Sequence, residues 1–177
     1  MVPCSVMSDG SLGVIVVGVL GLGGDDARAA ASVARALQAS WRQAGKIDLR
    51  SESAGDDPRG ALRVLRQWCD RDHVDVALTV GRAGHREDDF APEITAPLLE
   101  RSLPGVEERM YLSPPSRPQQ LLFRGRAGFR GTTLVVNLPA QTARAAAIVR
   151  LLAPVVHHAL EKARGSGGEC GLPGGAR

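Results

Sequence analysis

The sequence predicts an α/β fold, a three-layer α/β/α sandwich around a mostly parallel sheet. Val14-Ile15-Val16-Val17-Gly18-Val19 is a continuous β-branched run, and Val74 to Val80 and Thr132 to Asn137 are strongly apolar segments. Strands buried on both faces read this way. Segments with helical spacing lie between them, and strand–helix–strand alternation implies right-handed crossovers with helices on both sheet faces. The length of 177 residues corresponds to about one domain, whose core buries roughly 70% of the unfolded chain's surface without a disulfide or metal staple.

The elements follow in order. Residues 1–12 are polar and irregular and are expected to form a flexible arm, with a single domain over 13–164. After the first strand, Gly21 to Gly24 reads as a loop. Asp25 or Asp26 can cap a helix that runs to about Ala44, with Val33, Leu37 and Trp41 on one face and Gly45 as its stop. Ile47 and Leu49 alternate with polar residues in a short edge-like strand to Ser51. Asp56-Asp57-Pro58 starts a second helix, whose apolar face is Leu62, Leu65, Trp68 and Cys69. The second buried strand ends at Val80, and a loop runs to Ala91. Pro92 opens a helix that Pro97 keeps short or kinks. Between Pro104 and Arg130 the chain is rich in Pro, Gly and Arg; a short strand is expected near Met110-Tyr111-Leu112. The last strand leads through Leu138-Pro139-Ala140 into a long helix from about Thr142 to Ala163, kinked at Pro154. The Gly-rich segment 165–177 reads as a disordered tail.

Composition narrows the function. Aromatics are 3% of the chain, too few for a platform that stacks nucleic-acid bases. The cations behind the net charge of +3 are almost all arginine, and so weak a positive field suits a small anionic ligand at least as well as a polyanion. Cys4, Cys69 and Cys170 form no CxxC pair, so a cytoplasmic protein with reduced thiols is expected, with no zinc site. No uninterrupted apolar run of about 18 residues is present, so no membrane association is expected.

Ligands of open parallel sheets bind beyond the carboxyl ends of the strands. Three loops qualify: Gly18 to Asp26, Thr79 to Asp89, and Asn137 to Thr142. The middle one, Thr79-Val80-Gly81-Arg82-Ala83-Gly84, has glycines that let backbone amides approach an anion, with Asp88, Asp89 and Glu93 close behind. A phosphate cradle beside carboxylates able to hold a hydrated divalent ion is a nucleotide arrangement; a turn with surface acids is the plain structural alternative. Asn137 can line a site or tie its own loop, and Pro139 fixes the turn after it. The chain has neither GxxxxGK[ST] nor a correctly spaced GxGxxG, which excludes the common nucleotide fingerprints. His157-His158 cannot share a helix face and does not read as a metal pair. His85 can touch a phosphate or stay exposed. Arg124, Arg126 and Arg130 can steer an anion or form a solvated hairpin, and Cys69 reads as core.

Two motifs taken together carry a family resemblance. Asp75-Val76-Ala77-Leu78-Thr79-Val80, Gly81-Arg82-Ala83-Gly84 and Asp88-Asp89-Phe90-Ala91-Pro92-Glu93-Ile94-Thr95 stand in the order of the family's strand, Gly-Gly-Thr-Gly loop and Asp-Val-Thr-Pro-Glu segment. Arg130-Gly131-Thr132-Thr133-Leu134-Val135-Val136-Asn137-Leu138-Pro139 is similar to its later strand and turn, and Leu152-Ala153-Pro154 with His158-Ala159-Leu160 to its closing helix. From about Leu12 to Arg164 the chain resembles the MoaB/Mog family of molybdenum cofactor biosynthesis, of the molybdopterin adenylyltransferase type.

The resemblance implies the molybdopterin-binding fold, molybdopterin and ATP as substrates, Mg²⁺ as cofactor, a homotrimer, and contact with other molybdenum cofactor enzymes. It implies Asp89 as catalytic residue and metal ligand, with Asp57, or its neighbour Asp56, as the second acid. Thr79, Gly81, Arg82, Gly84, Glu93, Asn137 and Pro139 are the implied ligand-binding residues. A non-catalytic pterin- or nucleotide-binding protein and a nucleotide pyrophosphate hydrolase are the alternative activities on the same fold. Arg82 stands where the family loop has glycine. Its guanidinium can clamp a phosphate, or its bulk can block the loop where close backbone approach is needed.

Overall fold

A computed structural model of the chain describes residues 13–24, 26–41, 45–112 and 118–163. The expected arm over 1–12, the tail over 165–177 and the cap at Asp25 lie outside the described residues.

Six strands form one sheet in the order β2-β1-β3-β6-β5-β4. They are β1 (Val14–Leu22), β2 (Lys46–Gly55), β3 (Val76–Val80), β4 (Arg101–Ser102), β5 (Ala127–Arg130) and β6 (Thr133–Leu138). β2, β1, β3 and β6 are parallel, and β5 and β4 continue the sheet antiparallel. The predicted three-layer sandwich is therefore present. The helices are α1 (Asp26–Ser40), α2 (Pro58–Asp70), α3 (Ala91–Thr95), α4 (Pro104–Leu112) and α5 (Thr142–Ala163). α1 packs against α5, and α2 against α3. The two tryptophans anchor these helix layers. Trp41 Nε1 donates to the Val149 carbonyl of α5 at 2.9 Å, and Trp68 of α2 donates to Glu52 Oε1 at 3.2 Å. Trp68 lies on β1 at Gly18, where an added Cβ would come within 2.5 Å of the indole.

Several boundaries differ from the sequence reading. β1 runs through Gly21 to Leu22, because Gly21 still pairs with Ser53 and Val80 on its two sides; the turn begins at Gly23, with φ +98°. β2 extends to Gly55 for the same reason, since it pairs with β1 along its length with one irregularity at Ala54. The largest correction concerns 104–130. Met110-Tyr111-Leu112 is the end of helix α4, not a strand. Leu103, Val106, Glu107 and Met110 carry helical spacing, and this stripe faces inward, with Glu107 and Met110 buried. Glu107 Oε1 accepts the buried Ala127 amide at 3.0 Å, which binds α4 to β5. α5 has a stretch, Thr142–Leu160, with mean hydropathy 1.2, long enough to cross a membrane. In this fold Ala145, Ile148, Val149, Leu152, Val156 and Leu160 of that stretch are buried in the core.

Cys69 is buried on α2, as expected. Burial pushes its thiol pKa from the usual 9.0 up to about 11, with the hydrogen bond to Thr133 a smaller opposing effect. Only the thiolate is nucleophilic. Alkylation of Cys69 at pH 8, followed by peptide mass spectrometry, is therefore expected to be at least about 100-fold slower in native protein than in urea. The raised pKa also has a sign for stability. Its contribution is fully present below pH 9 and is lost as pH rises toward 11, so the unfolding midpoint should fall across that window.

Candidate functional site

β1, β3 and β6 end at the same edge of the sheet, and their loops build one surface there. The chain leaves β1 toward β2 on one side and reaches β3 on the other, so this edge is a topological switch point. Gly81 makes the first turn after β3. Its φ is +101°, and an added Cβ would come within 2.2 Å of the Leu22 carbonyl oxygen, a contact only glycine permits. Its amide donates to the Leu138 carbonyl at 3.0 Å. Gly81 thereby brings the ends of β1, β3 and β6 together.

The loop from Arg82 to Phe90 then folds over this edge. Asp89 Oδ2 accepts the Arg86 amide at 2.9 Å, and Gly84 passes so close that a Cβ there would lie 2.6 Å from the same oxygen. Arg124, arriving just before β5, holds the loop from outside. It donates to the Gly84 carbonyl at 2.5 Å and the Asp89 carbonyl at 3.1 Å, and pairs with Glu93 at 2.5 Å.

A cleft of about 250 Å³ opens between this loop and the β6–α5 turn. Arg82, Gly84, Asp89 and Pro139, all predicted from sequence, line it together with His85, Arg86, Phe123, Gln141 and Arg144. Arg144 is buried beside the Phe123 ring, its guanidinium carbon 4.9 Å from the ring centroid. Burial lowers its pKa below the usual arginine value. A second groove of about 450 Å³, lined by Arg28, Ser32 and Arg35 of α1, shares Ala140 and Gln141 with the first. The start of α5 lies between the two, and the unpaired amides of a helix's first turn favour anions.

Thr79 and Asn137 sit beneath the cleft rather than in its wall. Both are fully buried. Asn137 Nδ2 donates to Thr79 Oγ1 at 2.8 Å and to Thr95 Oγ1 at 2.9 Å, while its Oδ1 accepts the Arg126 amide at 2.9 Å. These bonds join β3, β6, α3 and the start of β5. Glu93 faces a neighbouring groove with Arg124 and Arg126. Asp57 caps α2, accepting the Arg59 amide at 3.0 Å. The arginine cluster divides between structural tasks. Arg126 pairs with Glu107 at 3.3 Å, and Arg130 pairs with Asp70 at 2.7 Å at the opposite end of the sheet. Phe123 and Arg144 carry no sequence signal, because one follows an irregular stretch and the other is one of many helical arginines.

Arg82 is the unusual residue. It keeps the left-handed backbone natural to glycine, with φ +48°. Its guanidinium is not free in the cleft. Nε and Nη2 both donate to Asp56 Oδ1, and Nη1 donates to Asp88 Oδ2. The side chain crosses Gly23, where an added Cβ would lie 3.1 Å from Nε. Burial lowers the Arg82 pKa, but the hydrogen bonds to Asp56 and Asp88 outweigh it and leave it raised.

The comparisons with known proteins agree with this architecture. The family model described as "Probable molybdopterin binding domain" matches residues 13–158. The chain belongs to this family. The MoaB molybdopterin biosynthesis enzyme of Thermus thermophilus is 32% identical, with a TM-score of 0.73, over 85% of this chain and 97% of that one. The Mog protein of Mycobacterium ulcerans is 27% identical, with a TM-score of 0.75, over 86% and 98%. Among curated relatives, the molybdopterin adenylyltransferase of Helicobacter pylori strain J99 is 30% identical over 94 residues, 52% of this chain and 53% of its own length. The molybdenum cofactor synthesis protein cinnamon of Drosophila melanogaster is 34% identical over 99 residues, 54% of this chain and 16% of its own. The chain thus spans about half, or less, of the length of these two curated relatives.

Proposed function

We propose that the chain acts in molybdenum cofactor biosynthesis, binding molybdopterin in the cleft between the β3–α3 loop and the β6–α5 turn. The observation that carries this reading is the cleft's mixed lining: the apolar surface of Leu122, Phe123 and Pro139 suits a flat heterocycle, while Arg144 and the start of α5 suit its phosphate. A volume of about 250 Å³ is small for a binding site and matches one compact ligand better than two. The adjoining groove with Arg28 and Arg35 is the place for a triphosphate. We assign the reaction as adenylyl transfer, with ATP, carried as its magnesium complex, as second substrate. An oxygen of the pterin phosphate attacks the α-phosphorus of ATP, a new P–O–P linkage forms, and pyrophosphate leaves. The protein's part is to hold the two phosphates in line and to neutralise charge.

A second reading, binding without turnover, is favoured by one observation: Arg82 of the cleft loop engages Asp56 and Asp88, so these carboxylates are paired within the protein. Titration calorimetry with molybdopterin and a pyrophosphate-release assay with Mg-ATP separate the two. Binding with pyrophosphate release supports adenylylation, and binding without release supports the second reading. Absence of pterin binding by folded protein overturns both. Arg144→Met keeps an apolar stem on Phe123 but removes the charge. It is expected to weaken molybdopterin binding by about 1.5–3 kcal/mol, the scale of a hydrogen bond to a charged group.

A further inference from the structure

The Mg²⁺ ion implied by the sequence resemblance requires carboxylate oxygens free to ligate it at the mouth of the loops. Magnesium demands near-octahedral oxygen geometry and gives up its water reluctantly. Each of the aspartates at this edge, Asp56, Asp57, Asp88 and Asp89, is engaged through at least one oxygen. Asp56 Oδ1 accepts from two Arg82 nitrogens. Asp88 uses both oxygens, Oδ2 for Arg82 and Oδ1 for Arg86 Nε at 2.9 Å. Asp89 Oδ2 accepts the Arg86 amide, and Asp57 Oδ1 caps α2. Among the described residues, no three His, Cys, Asp or Glu side chains are grouped so that they could hold a metal ion. The residues present therefore do not fit a metal held by protein ligands alone.

We propose that the Arg82 guanidinium replaces a protein-held divalent cation at this edge, with Asp56 and Asp88 as its counter-ions rather than as metal ligands. Three features support a built-in cation over an incidental surface pair. The backbone of Arg82 adopts a left-handed conformation that costs a non-glycine residue energy, so the side chain is held there by its contacts. Those contacts join three loops: Gly23 after β1, Asp56 after β2 and Asp88 after β3. Arg82 is also the least exposed of the trio, its side chain 19% accessible against 62% for Asp56 and 48% for Asp88. A planar donor fork that cannot be deprotonated neutralises two carboxylates without coordinating water or substrate. This site would therefore meet magnesium only as part of the nucleotide. The inference rests on these loops alone and does not depend on which pterin or nucleotide binds.

The test uses the full chain with Mn²⁺ alone, without nucleotide, followed by electron paramagnetic resonance. Wild-type protein is expected to take up no Mn²⁺ below millimolar concentration. Arg82→Gly suits the left-handed backbone and should fold, as thermal unfolding will verify. It should gain one Mn²⁺ site at least tenfold tighter than any in wild type, and adding Asp56→Asn should abolish that site. Micromolar Mn²⁺ binding by wild type that Asp56→Asn weakens would overturn the proposal, as would failure of folded Arg82→Gly to gain a site. Molybdopterin calorimetry on wild type is read separately, so loss of the pterin reading leaves this result intact.

Discussion

Gly81→Ala is expected to lower the stability of the fold by about 4 kcal/mol. Two effects add. A φ of +101° lies outside the conformations an L side chain adopts readily, at a strain of about 1–3 kcal/mol. The new methyl would also meet the Leu22 carbonyl oxygen at 2.2 Å, and forcing such an overlap costs about 1–3 kcal/mol more. Relief would require moving the end of β1, which is paired on both sides by β2 and β3. Urea denaturation measures the effect as a fall in midpoint at unchanged slope. Gly24→Ala is the control: that glycine is exposed, its φ is not left-handed and nothing lies within 4 Å of the added Cβ, so the change should stay within about 0.5 kcal/mol. A loss under 1 kcal/mol at Gly81 would show that the β1 and β3 loops can separate without penalty.

Asn137→Ala should cost about 3–4 kcal/mol, seen by circular dichroism as a fall in Tm of about 10 °C. The side chain is fully buried and makes three hydrogen bonds. Alanine leaves the Arg126 amide without its acceptor and opens a polar cavity between β3, β6 and α3. An orphaned buried donor is costlier than the bond it once made. Thr95→Val, which removes one acceptor of the Asn137 side-chain Nδ2, should cost about 1–2 kcal/mol. Because Asn137 lies under the cleft and not in it, its loss should reach ligand affinity only through the position of Pro139. A variant of unchanged stability but abolished pterin binding would reassign Asn137 as a ligand contact.

The local chemistry of this chain was legible where one residue type admits few conformations. The buried runs of β1, β3 and β6 could be read from β-branched continuity, because a strand covered on both faces has no polar alternation to confuse it. Asp57 before Pro58 marked the start of α2, since an N-cap needs only its own side chain and the next amides. The glycine of the β3 turn was visible as a place of close approach, though not what it approaches. Met110-Tyr111-Leu112 suits a strand as an isolated apolar triplet, but it is helical in the fold, where Leu103, Val106, Glu107 and Met110 form one inward stripe. The two-residue β4 is too short for any pattern to mark.

The α/β class, the sheet edge of the candidate site and the loops along it can thus be read from the chain alone. These depend on periodicity and on backbone rules that act within a few residues. What the polar side chains do depends on how the strands are placed. Asn137 and Thr79 point to a ligand as readily as to each other until β3 and β6 are placed side by side. Arg82 could have reached a phosphate, but Asp56, 26 residues earlier in the chain, is brought against it by the parallel pairing of β2 with β1 and β1 with β3. A guanidinium takes the nearest carboxylate pair, and which pair is nearest is a property of the fold.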